Sequence, residues 1–314
     1  MKALQILRYG GRDAMQFTDK APKPAAGKGQ VLIEVHAASI NPIDWKIRAG
    51  YMKEHLPLAM PATFGGDVSG AVTAVGESVS DLKVGSRVFG YASPVSGGSG
   101  SFAEFVAANV STLAPAPQKA TMLEAAALPL VAASAVQAIE THIKLQRGQK
   151  ILIHGGAGGI GSVAVQLAKS LGAYVATTAA SEDFAYVREL RADEVIDYKK
   201  EAFEAKLSDF DAVFDTVGGD TSKKSFKVLK KGGVLVSMLG QPEAALAQQH
   251  EVTAIGQFTQ ATTDVLKRVT QLVDSGVIRS RIAKVFTLEE AAQAFQLAEE
   301  GHPRGKVLFE VKRA

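Results

Sequence analysis

The segment "NPIDWKIRAG", residues 41–50, carries side chains that could act on a carbonyl group. Asn41 supplies an amide and Lys46 an ammonium group, and both can donate hydrogen bonds to an oxygen on which negative charge develops. The segment has no histidine, and the whole chain has no cysteine. Thiolate nucleophiles, disulfides and cysteine-held zinc are therefore excluded. If this segment takes part in catalysis, amide and ammonium groups must do what a metal ion does elsewhere.

A second segment, "ILIHGGAGGIG", has the glycine spacing of a phosphate-binding turn. Gly156, Gly158 and Gly161 follow the pattern G-x-G-x-x-G between an apolar strand and an amphipathic helix. Gly156 would permit the tight turn, Gly158 the approach of a pyrophosphate, and Gly161 close packing of the helix on the strand. We predict a dinucleotide site in which Gly159 and Ile160 also take part. A glycine-rich turn without a ligand is the alternative.

The end of the following strand, "YVATTAASED", indicates which dinucleotide would bind. NAD enzymes usually hold the ribose 2′-hydroxyl with a carboxylate at this point, whereas Thr178 or Ala179 stands there in this chain. We therefore predict NADP(H), with Thr178, Ser181 and Tyr198 available to hydrogen-bond a 2′-phosphate. Ser181 is also expected to be a helix N-cap, followed by Glu182 in the first turn, where the helix dipole favours an acid.

The elements that carry these segments fall into two parts. Residues 1–120 contain short alternating strands such as "QVLIEVHAAS" between glycine turns, which indicates a small barrel or sandwich. From Glu124 an alanine-rich helix runs to about residue 143, and alternating apolar strands and helices follow, the pattern of a doubly wound α/β domain. The helix after the glycine turn is predicted from Ser162 to Leu171. The last stretch, with strands "AKVFTL" and "GKVLFEV", could belong to either part.

Composition and charge limit the classes of protein to which this chain can belong. The length of 314 residues suits two domains, and 46% hydrophobic with 21% charged residues is typical of a soluble globular protein. The net charge of +3 is a weak basic excess. Its densest cluster lies at helical spacing without aromatic or groove-reading motifs, so we interpret it as a solvated helix face rather than a nucleic-acid patch. The cluster consists of Lys223, Lys224, Lys227, Lys230 and Lys231.

Neither a signal peptide nor a membrane span is predicted. Charges at Lys2 and Arg8 interrupt the apolar residues at the start of the sequence. The longest apolar run, "AAALPLVAASAVQAI", contains Pro129 and, at about fifteen residues, is too short to cross a bilayer. We predict a cytoplasmic protein.

Several short segments resemble a known enzyme family in the same order along the chain. They are "NPIDWK", "GGDVSGAVTAVG", "GSFAEF", "AAALPL", "HGGAGGIG", "VIDY", "FDTVGG" and "GKVLFEV". Together they resemble the zinc-independent, zeta-crystallin-like quinone oxidoreductases of the medium-chain dehydrogenase/reductase superfamily. "NPIDWK" is similar to the plant chloroplast quinone oxidoreductase homologues and alkenal/oxoene reductases. The resemblance covers essentially the whole chain.

The resemblance implies an α/β fold with two domains. A GroES-like, β-rich catalytic domain would comprise residues 1–122 and be completed by residues 266–314. A doubly wound Rossmann domain that binds NADP(H) would comprise residues 123–265. On this basis the C-terminal stretch would return to the first domain.

The resemblance also implies that no catalytic metal is present. Zinc enzymes of the superfamily would carry a cysteine ligand where this chain has Asn41 and a histidine where it has Gly66. They would carry a hydroxyl residue for proton relay where this chain has Ile43. The cysteine-rich lobe that holds a structural zinc is missing as well. We therefore predict no metal site.

Without zinc, the chemistry must depend on acceptors that need little activation. A quinone or enone accepts hydride readily because the electrons are delocalised onto a conjugated oxygen. We predict Asn41, Lys46 and Tyr51 as catalytic residues: an amide near the nicotinamide and acceptor, a cation toward the substrate oxygen, and a proton donor or stacking surface. Alternatively, Lys46 could face solvent. Tyr51 could line the cleft between the two domains, where the resemblance implies that the nicotinamide lies, without a catalytic role. We interpret Asp44 as a brace for the turn and Trp45 as a core residue.

Further cofactor contacts are expected outside the glycine turn. Ser134 matches a position where the family has threonine facing the cofactor, and the residues after the fifth strand match its nicotinamide-side backbone. His154 is interpreted as packed against the turn. The remaining predicted cofactor residues are Ser134, Val217, Met238, Leu239, Gly240 and Lys306.

Taken together, these features predict an NADPH-dependent reductase of quinones or other α,β-unsaturated carbonyls. One alternative is an alkenal or enone reductase with little quinone activity. Another is a non-catalytic NADPH-binding protein with a structural or RNA-binding role. A small-molecule partner is expected rather than nucleic acid or membrane, and the resemblance implies a homodimer through the edge strand near "VTAIGQF".

Overall fold

The computed structural model describes residues 1–54, 57–300 and 303–312. Alternating and β-branched apolar residues form its strands, as the sequence pattern predicts. The strands are β1 (Ala3–Ile6), β2 (Met15–Thr18), β3 (Gln30–Ser39), β4 (Ala62–Thr63), β5 (Asp67–Val75), β6 (Arg87–Tyr91), β7 (Phe105–Asn109), β8 (Leu113–Pro115), β9 (Lys150–Ile153), β10 (Tyr174–Ala179), β11 (Glu194–Asp197), β12 (Phe210–Asp215), β13 (Leu229–Ser237), β14 (Thr253–Gly256), β15 (Ile282–Phe286) and β16 (Lys306–Glu310).

The helices are mostly short. The alanine-rich helix predicted to about residue 143 is divided into two α-helices and a π-helical segment, Gln137–Ile143. The helix after the glycine turn begins three residues earlier than predicted, at Gly159. The α-helices are α1 (Pro42–Ala49), α2 (Met122–Ala126), α3 (Pro129–Val136), α4 (Gly159–Ser170), α5 (Phe184–Glu189), α6 (Phe203–Lys206), α7 (Asp220–Ser225), α8 (Ala244–Gln249), α9 (Thr263–Asp274) and α10 (Ala291–Glu300).

The chain forms two compact units. The first contains residues 1–130 and 261–314, and the second contains residues 131–260. The C-terminal stretch, which the sequence pattern left unassigned, therefore belongs to the first unit. The boundaries expected from the sequence, after residues 122 and 265, differ from these by eight and five residues.

The first unit is built on antiparallel strands. Its larger sheet has the order β15-β16-β3-β5-β6-β8, with β7 also paired to β3, and a smaller sheet has the order β2-β1-β4. The last strand, β16, pairs antiparallel with β3. Four buried phenylalanine rings in contact with one another occupy its core: Phe64, Phe102, Phe295 and Phe309.

The second unit is a doubly wound parallel sheet. The strand order is β11-β10-β9-β12-β13-β14, so the order reverses between β9 and β12. All five pairings are parallel. This is the order of a Rossmann domain, in which ligands bind outside the carboxyl ends of the strands at the reversal point. The predicted fold class is confirmed.

The clustered lysines are solvent-exposed, as interpreted, but they do not form one helix face: Lys223 and Lys224 lie on α7, Lys227 in the 3-10 turn after it, and Lys230 and Lys231 on β13. Four of the clustered lysines form ion pairs with acids: Lys223 with Glu243, Lys224 with Glu204, Lys230 with Asp211, and Lys231 with Glu251. Across the described residues, no helix combines the length and the apolar character needed to cross a bilayer.

Candidate active site

The glycine turn of the second unit links β9 to α4. The positive φ of +70° belongs to Gly155, not to Gly156, where the sequence reasoning placed the tight turn. Gly156 is needed for a different reason, since a Cβ there would lie 2.1 Å from Thr177 Oγ1. A Cβ on Gly161 would lie 2.1 Å from the carbonyl oxygen of Gly155, so the first turn of α4 lies in close contact with the glycine turn.

The start of α4 offers free backbone donors. Its N-cap is Gly158, and the first intrahelical bond runs from Ser162 N–H to Gly158 O at 3.0 Å. The N–H groups of Gly159, Ile160 and Gly161 precede that bond and have no carbonyl partner within the helix. Such a helix start can hold a pyrophosphate through its donors and dipole. The residues therefore fit a dinucleotide.

A chain of hydrogen bonds with a defined direction links the glycine turn to Thr178, His154 and Ser225. Gly155 N–H donates to Thr178 Oγ1 at 3.1 Å, and Thr178 Oγ1 lies 3.2 Å from His154 Nδ1. On the other side of the ring, His154 Nε2 lies 2.9 Å from Ser225 Oγ, which itself donates to Thr221 O. Because the Ser225 proton is used on Thr221, Nε2 must donate, and Nδ1 must accept from Thr178. The neutral Nε2–H tautomer is thereby fixed.

Burial keeps His154 neutral. Its ring is fully buried and in edge contact with Phe203, at 4.6 Å between ring centroids. Desolvation lowers the pKa of His154 to about 4, against opposing charges on Asp215 and Glu204. His154 is therefore packed against the turn, as interpreted, and its neutral ring links Thr178 to Ser225 through hydrogen bonds. The Thr178 hydroxyl accepts a hydrogen bond from Gly155 N–H and donates one to His154. Both bonds hold the glycine turn, so this hydroxyl has no proton left to donate to a 2′-phosphate.

The end of β10 carries a polar group that the sequence identified only in part. Ser181 is not an N-cap: it is the first residue of a 3-10 turn capped by Ala180, and its hydroxyl donates to Asp197. Lys200 Nζ donates to Ser181 Oγ at 2.8 Å and lies 3.3 Å from Asp197. The Ser181 hydroxyl lowers the pKa of Asp197, with smaller help from Lys200. The N-cap prediction failed because the acid at the end of β11 takes the hydroxyl.

Lys200 is the cation that sequence reasoning missed. It lies three residues beyond the strand "EVID", and this position is the signal by which the sequence could have indicated it. Tyr198, the third predicted 2′-phosphate ligand, is 60% exposed beside it. Ser181 follows β10, whereas Tyr198 and Lys200 follow the neighbouring β11, so a hydroxyl, a phenol and an ammonium group belong to two adjacent strand ends.

The other predicted cofactor residues lie after the next strands of this sheet. Val217 follows β12, and its N–H donates to Asp215 Oδ1 at 2.9 Å. Met238, Leu239 and Gly240 follow β13, at the same carboxyl edge. Val217 and Leu239 are each about half exposed.

Ser134 is the one member of this set on a helix. It is buried, with its hydroxyl 2.7 Å from Thr259 Oγ1 and its carbonyl oxygen accepting from Gln257 Nε2 at 3.0 Å. These bonds tie α3 to the segment after β14.

In the first unit, "NPIDWK" forms the start of α1. Asn41 is the N-cap, and Asp44 Oδ2 accepts its backbone N–H at 2.7 Å. The interpretation of Asp44 as a brace is confirmed. Trp45 is partly buried and packs against the core of this unit, as expected.

The Asn41 side chain belongs to a buried polar cluster. Its Nδ2 donates to Asp67 Oδ2 at 2.7 Å, and its Oδ1 accepts from Lys306 Nζ. Lys306 also donates to Ile40 O at 2.9 Å and lies 3.6 Å from Asp67. Asp67 further accepts from Ser39 Oγ at 2.8 Å and, through Oδ1, from the backbone of α3. Lys306, predicted to touch the cofactor, makes its bonds within this cluster.

Burial dominates the electrostatics of the cluster. Desolvation raises the pKa of Asp44 to about 8, with Asp67 adding to the shift and the Asn41 backbone and Lys306 opposing it. Desolvation also raises the pKa of Asp67, against Lys306, and lowers that of Lys306, against the two acids. Asp44 Oδ1 is buried without a hydrogen-bond partner among the described residues. Asp44 is thus held as a neutral acid over much of the neutral pH range.

The cluster does not fit a zinc ion. Both ends of the Asn41 amide are engaged, and the ammonium of Lys306 would repel a cation. At Gly66, a Cβ would lie 2.1 Å from the ring of the buried Tyr91, so no ligand side chain has room. Within residues 1–54, 57–300 and 303–312, no group of three His, Cys, Asp or Glu side chains could hold a metal ion.

The structure does not join the other two predicted catalytic residues to this cluster. Lys46 is exposed on α1, and Tyr51, after the left-handed Gly50, is 79% exposed. With the residues that the structure describes, neither side chain makes a hydrogen bond or ion pair. Their roles stay predictions.

The glycine turn and the first N–H groups of α4, residues 155–161, form a phosphate cradle. Together with the β-rich unit and the doubly wound unit, this cradle defines a two-domain dinucleotide-binding oxidoreductase fold. Residues 27–118 match the alcohol dehydrogenase GroES-like domain, and residues 190–308 match the zinc-binding dehydrogenase family. The chain is 36% identical to the NADPH-dependent alkenal/one oxidoreductase, chloroplastic, of Arabidopsis thaliana, over 98% of this chain and 79% of that protein.

Two further comparisons agree. The chain is 31% identical to quinone-oxidoreductase QR1, chloroplastic, of Triphysaria versicolor, over 99% of this chain and 98% of that protein. The solved structure of the quinone oxidoreductase from Coxiella burnetii is 36% identical, with a TM-score of 0.90 and 99% of each chain covered. The chain belongs to the medium-chain dehydrogenase/reductase superfamily, in the group of quinone oxidoreductases and alkenal/one oxidoreductases.

Proposed function

We propose that this protein is an NADPH-dependent reductase that transfers hydride to quinones or other α,β-unsaturated carbonyls without a metal ion. The observation that carries the proposal is the phosphate cradle at the start of α4, with Ser181 and Lys200 at the two adjacent strand ends. The cradle suits the pyrophosphate, and the ammonium of Lys200, which has three N–H groups, suits a 2′-phosphate. The names of the relatives, which include an NADPH-dependent alkenal/one oxidoreductase, support the same activity.

The absence of a metal is proposed from the donor set. Asn41 is held by a carboxylate and an ammonium, and the space at Gly66 is filled by Tyr91. A saturated ketone or alcohol would need stronger electrophilic help than these groups give. A quinone or enone needs less, because its conjugated oxygen receives the electrons.

The chain's own residues would bind, orient and stabilise. NADPH, when bound, supplies the hydride. Asn41 would donate to a carbonyl oxygen, Lys46 would place a positive charge near the oxygen that becomes negative, and Tyr51 would supply a proton or a stacking face. Thr178 and His154 would keep the glycine turn in shape for the pyrophosphate.

Two alternatives remain distinct in their predictions. An alkenal or enone reductase with little quinone activity would have the same residues and differ only in acceptor preference. A non-catalytic NADPH-binding protein with an RNA-binding role would need a free basic surface, whereas four lysines of the cluster from Lys223 to Lys231 are paired with acids. That pairing favours the reductase.

The test is a steady-state assay of NADPH oxidation against quinones, alkenals and cyclic enones, with and without exhaustive chelation. We expect turnover with at least one acceptor class and no change after chelation. No turnover with any acceptor would refute the proposed activity. Turnover lost on chelation and restored by zinc would refute the metal-free reaction.

A homodimer and a cytoplasmic location complete the proposal. β14 lies at one edge of the six-stranded sheet, and Phe258, which follows it, is 75% exposed. A second copy could pair along that edge and cover the ring. A Phe258→Glu variant should then be monomeric in sedimentation while the unmodified protein is dimeric. Since some relatives carry chloroplastic or mitochondrial in their names, imaging of a tagged chain must decide the compartment.

A further inference from the structure

We infer that Lys306 and Asp67 are positioning residues that hold the Asn41 amide in one orientation, so that it presents an N–H donor to a ligand carbonyl oxygen. The inference rests on the proposed function and specifies how Asn41 would serve it. It assigns the two charged residues a role that does not require either of them to touch a ligand.

The orientation follows from what each partner can do. An ammonium group can only donate, so the Asn41 atom that faces Lys306 must be the amide oxygen. A carboxylate can only accept, so the atom 2.7 Å from Asp67 must be the amide nitrogen. Asp67 accepts from Ser39, Asn41 and the α3 backbone, the pattern of an ionised carboxylate. A flipped amide would place NH₂ against ammonium and oxygen against carboxylate.

Burial makes the flipped amide costly. Asn41 is 1% exposed, so water cannot repair two mismatched contacts. Lys306 itself is fixed by Ile40 O at 2.9 Å, and the Asn41 backbone by Asp44 at 2.7 Å. The contacts with Lys306 and Asp67 therefore oppose a flip of the side-chain amide, and the bond to Asp44 opposes a shift of the Asn41 backbone.

The fixed orientation leaves the second hydrogen on Asn41 Nδ2 available to a ligand. One hydrogen is used on Asp67, and the other is not required by any contact in the cluster. Because the amide oxygen accepts a charge-assisted bond, the amide is polarised and its N–H groups become stronger donors. A fixed and polarised donor suits a carbonyl oxygen that gains negative charge. That carbonyl belongs either to the substrate or to the nicotinamide carboxamide.

The first test reads the amide directly and does not depend on activity. The chain has two asparagines, Asn41 and Asn109, so labelling with ¹⁵N-asparagine gives two side-chain amide signals, which an Asn109→Ser variant assigns. The Lys306→Met/Asp67→Asn double variant removes both charges and leaves neither unpaired. The asparagine introduced at position 67 adds a third side-chain amide signal, which an Asn41→Ser form of the double variant distinguishes from that of Asn41. We expect Asn41 amide exchange with solvent to become at least ten times faster in the folded double variant, with Asn109 unchanged as reference. Equal exchange in both proteins would overturn the inference.

The second test separates the two carbonyls by binding and kinetics. If the amide serves the substrate, the double variant should lose at least tenfold in kcat for an enone, with the Kd for NADPH unchanged. If it serves the carboxamide, the Kd for NADPH should rise tenfold while that for 2′-phospho-ADP-ribose is unchanged. Lys306→Arg, which keeps a cationic donor, should recover part of either loss.

Unchanged kcat and unchanged Kd in the folded double variant would overturn the inference even if the unmodified protein is an active reductase. Conversely, an unmodified protein without reductase activity would refute the proposed function, and the exchange measurement would still decide whether the amide is held.

Discussion

The ring of Tyr91 fills the space beside Gly66: a Cβ on that glycine would lie 2.1 Å from Tyr91 Cε2. Tyr91 is buried at the end of β6, so its ring has no room to withdraw. The position that would hold a histidine ligand in the zinc enzymes is thus closed by packing as well as by sequence.

We expect Gly66→Ala to destabilise the protein by about 2 kcal/mol, because overpacking a tight core site forces neighbours to move. Thermal unfolding measures the loss. Gly10→Ala is the control, since its Cβ would meet no atom closer than 3.5 Å. Equal melting temperatures for the two variants would contradict the packing argument.

Lys46→Ala should lower kcat/KM for quinones and enones by about tenfold, equivalent to about 1.4 kcal/mol of transition-state stabilisation. The expected cause is loss of a positive charge near the reduced oxygen. Lys53→Ala removes another exposed lysine from the turn after α1 and should have little effect. If both variants retain full kcat/KM, Lys46 is a solvent-facing lysine only.

Lys200→Ala should raise the KM for NADPH about tenfold and leave that for NADH unchanged, because only NADPH carries the 2′-phosphate that a lysine beside Ser181 could bind. Lys231→Ala is the matched control: this lysine is paired with Glu251 near the amino end of β13, away from the carboxyl edge. Parallel loss for both cofactors would place Lys200 outside the 2′-phosphate site.

His154 should make the fold less stable in acid. Its pKa falls from 6.5 in the unfolded chain to about 4 in the folded protein, so the unfolded state binds a proton first. Above about pH 6.5 His154 is neutral in both states and the free energy of unfolding does not depend on its titration. As the pH falls from there to about 4, the free energy of unfolding decreases by about 3 kcal/mol. Urea unfolding between pH 7 and 4 should show a steeper decline for the unmodified protein than for His154→Gln. Identical slopes would argue against a buried neutral imidazole.

Asp44 should act in the opposite direction. Its pKa rises from 3.8 to about 8 on folding, so the folded state holds the proton more tightly and stability declines as the pH rises between these values. Asp44→Asn does not titrate and can still accept the Asn41 N–H bond. Its stability relative to the unmodified protein should therefore increase from about pH 4 to 8, measured by urea unfolding.

Features that depend on local pattern could be predicted from the residues alone. Strand periodicity and the glycine spacing before α4 predicted the doubly wound unit, and the order of short segments predicted the superfamily. Asp44 as a brace and Gly161 as a packing contact also followed from position alone, because a capping turn and a strand–turn–helix unit are decided by residues a few positions apart.

Which polar groups come into contact depends instead on how the strands pair. Lys306 and Asn41 are 265 residues apart and come together because β16 pairs with β3, which ends where α1 begins. Likewise, Ser181 bonds to Asp197 and Thr178 to His154 because neighbouring parallel strands end side by side. A single sequence contains these side chains but not the strand pairing, and burial then fixes the orientation and charge that each of them can have.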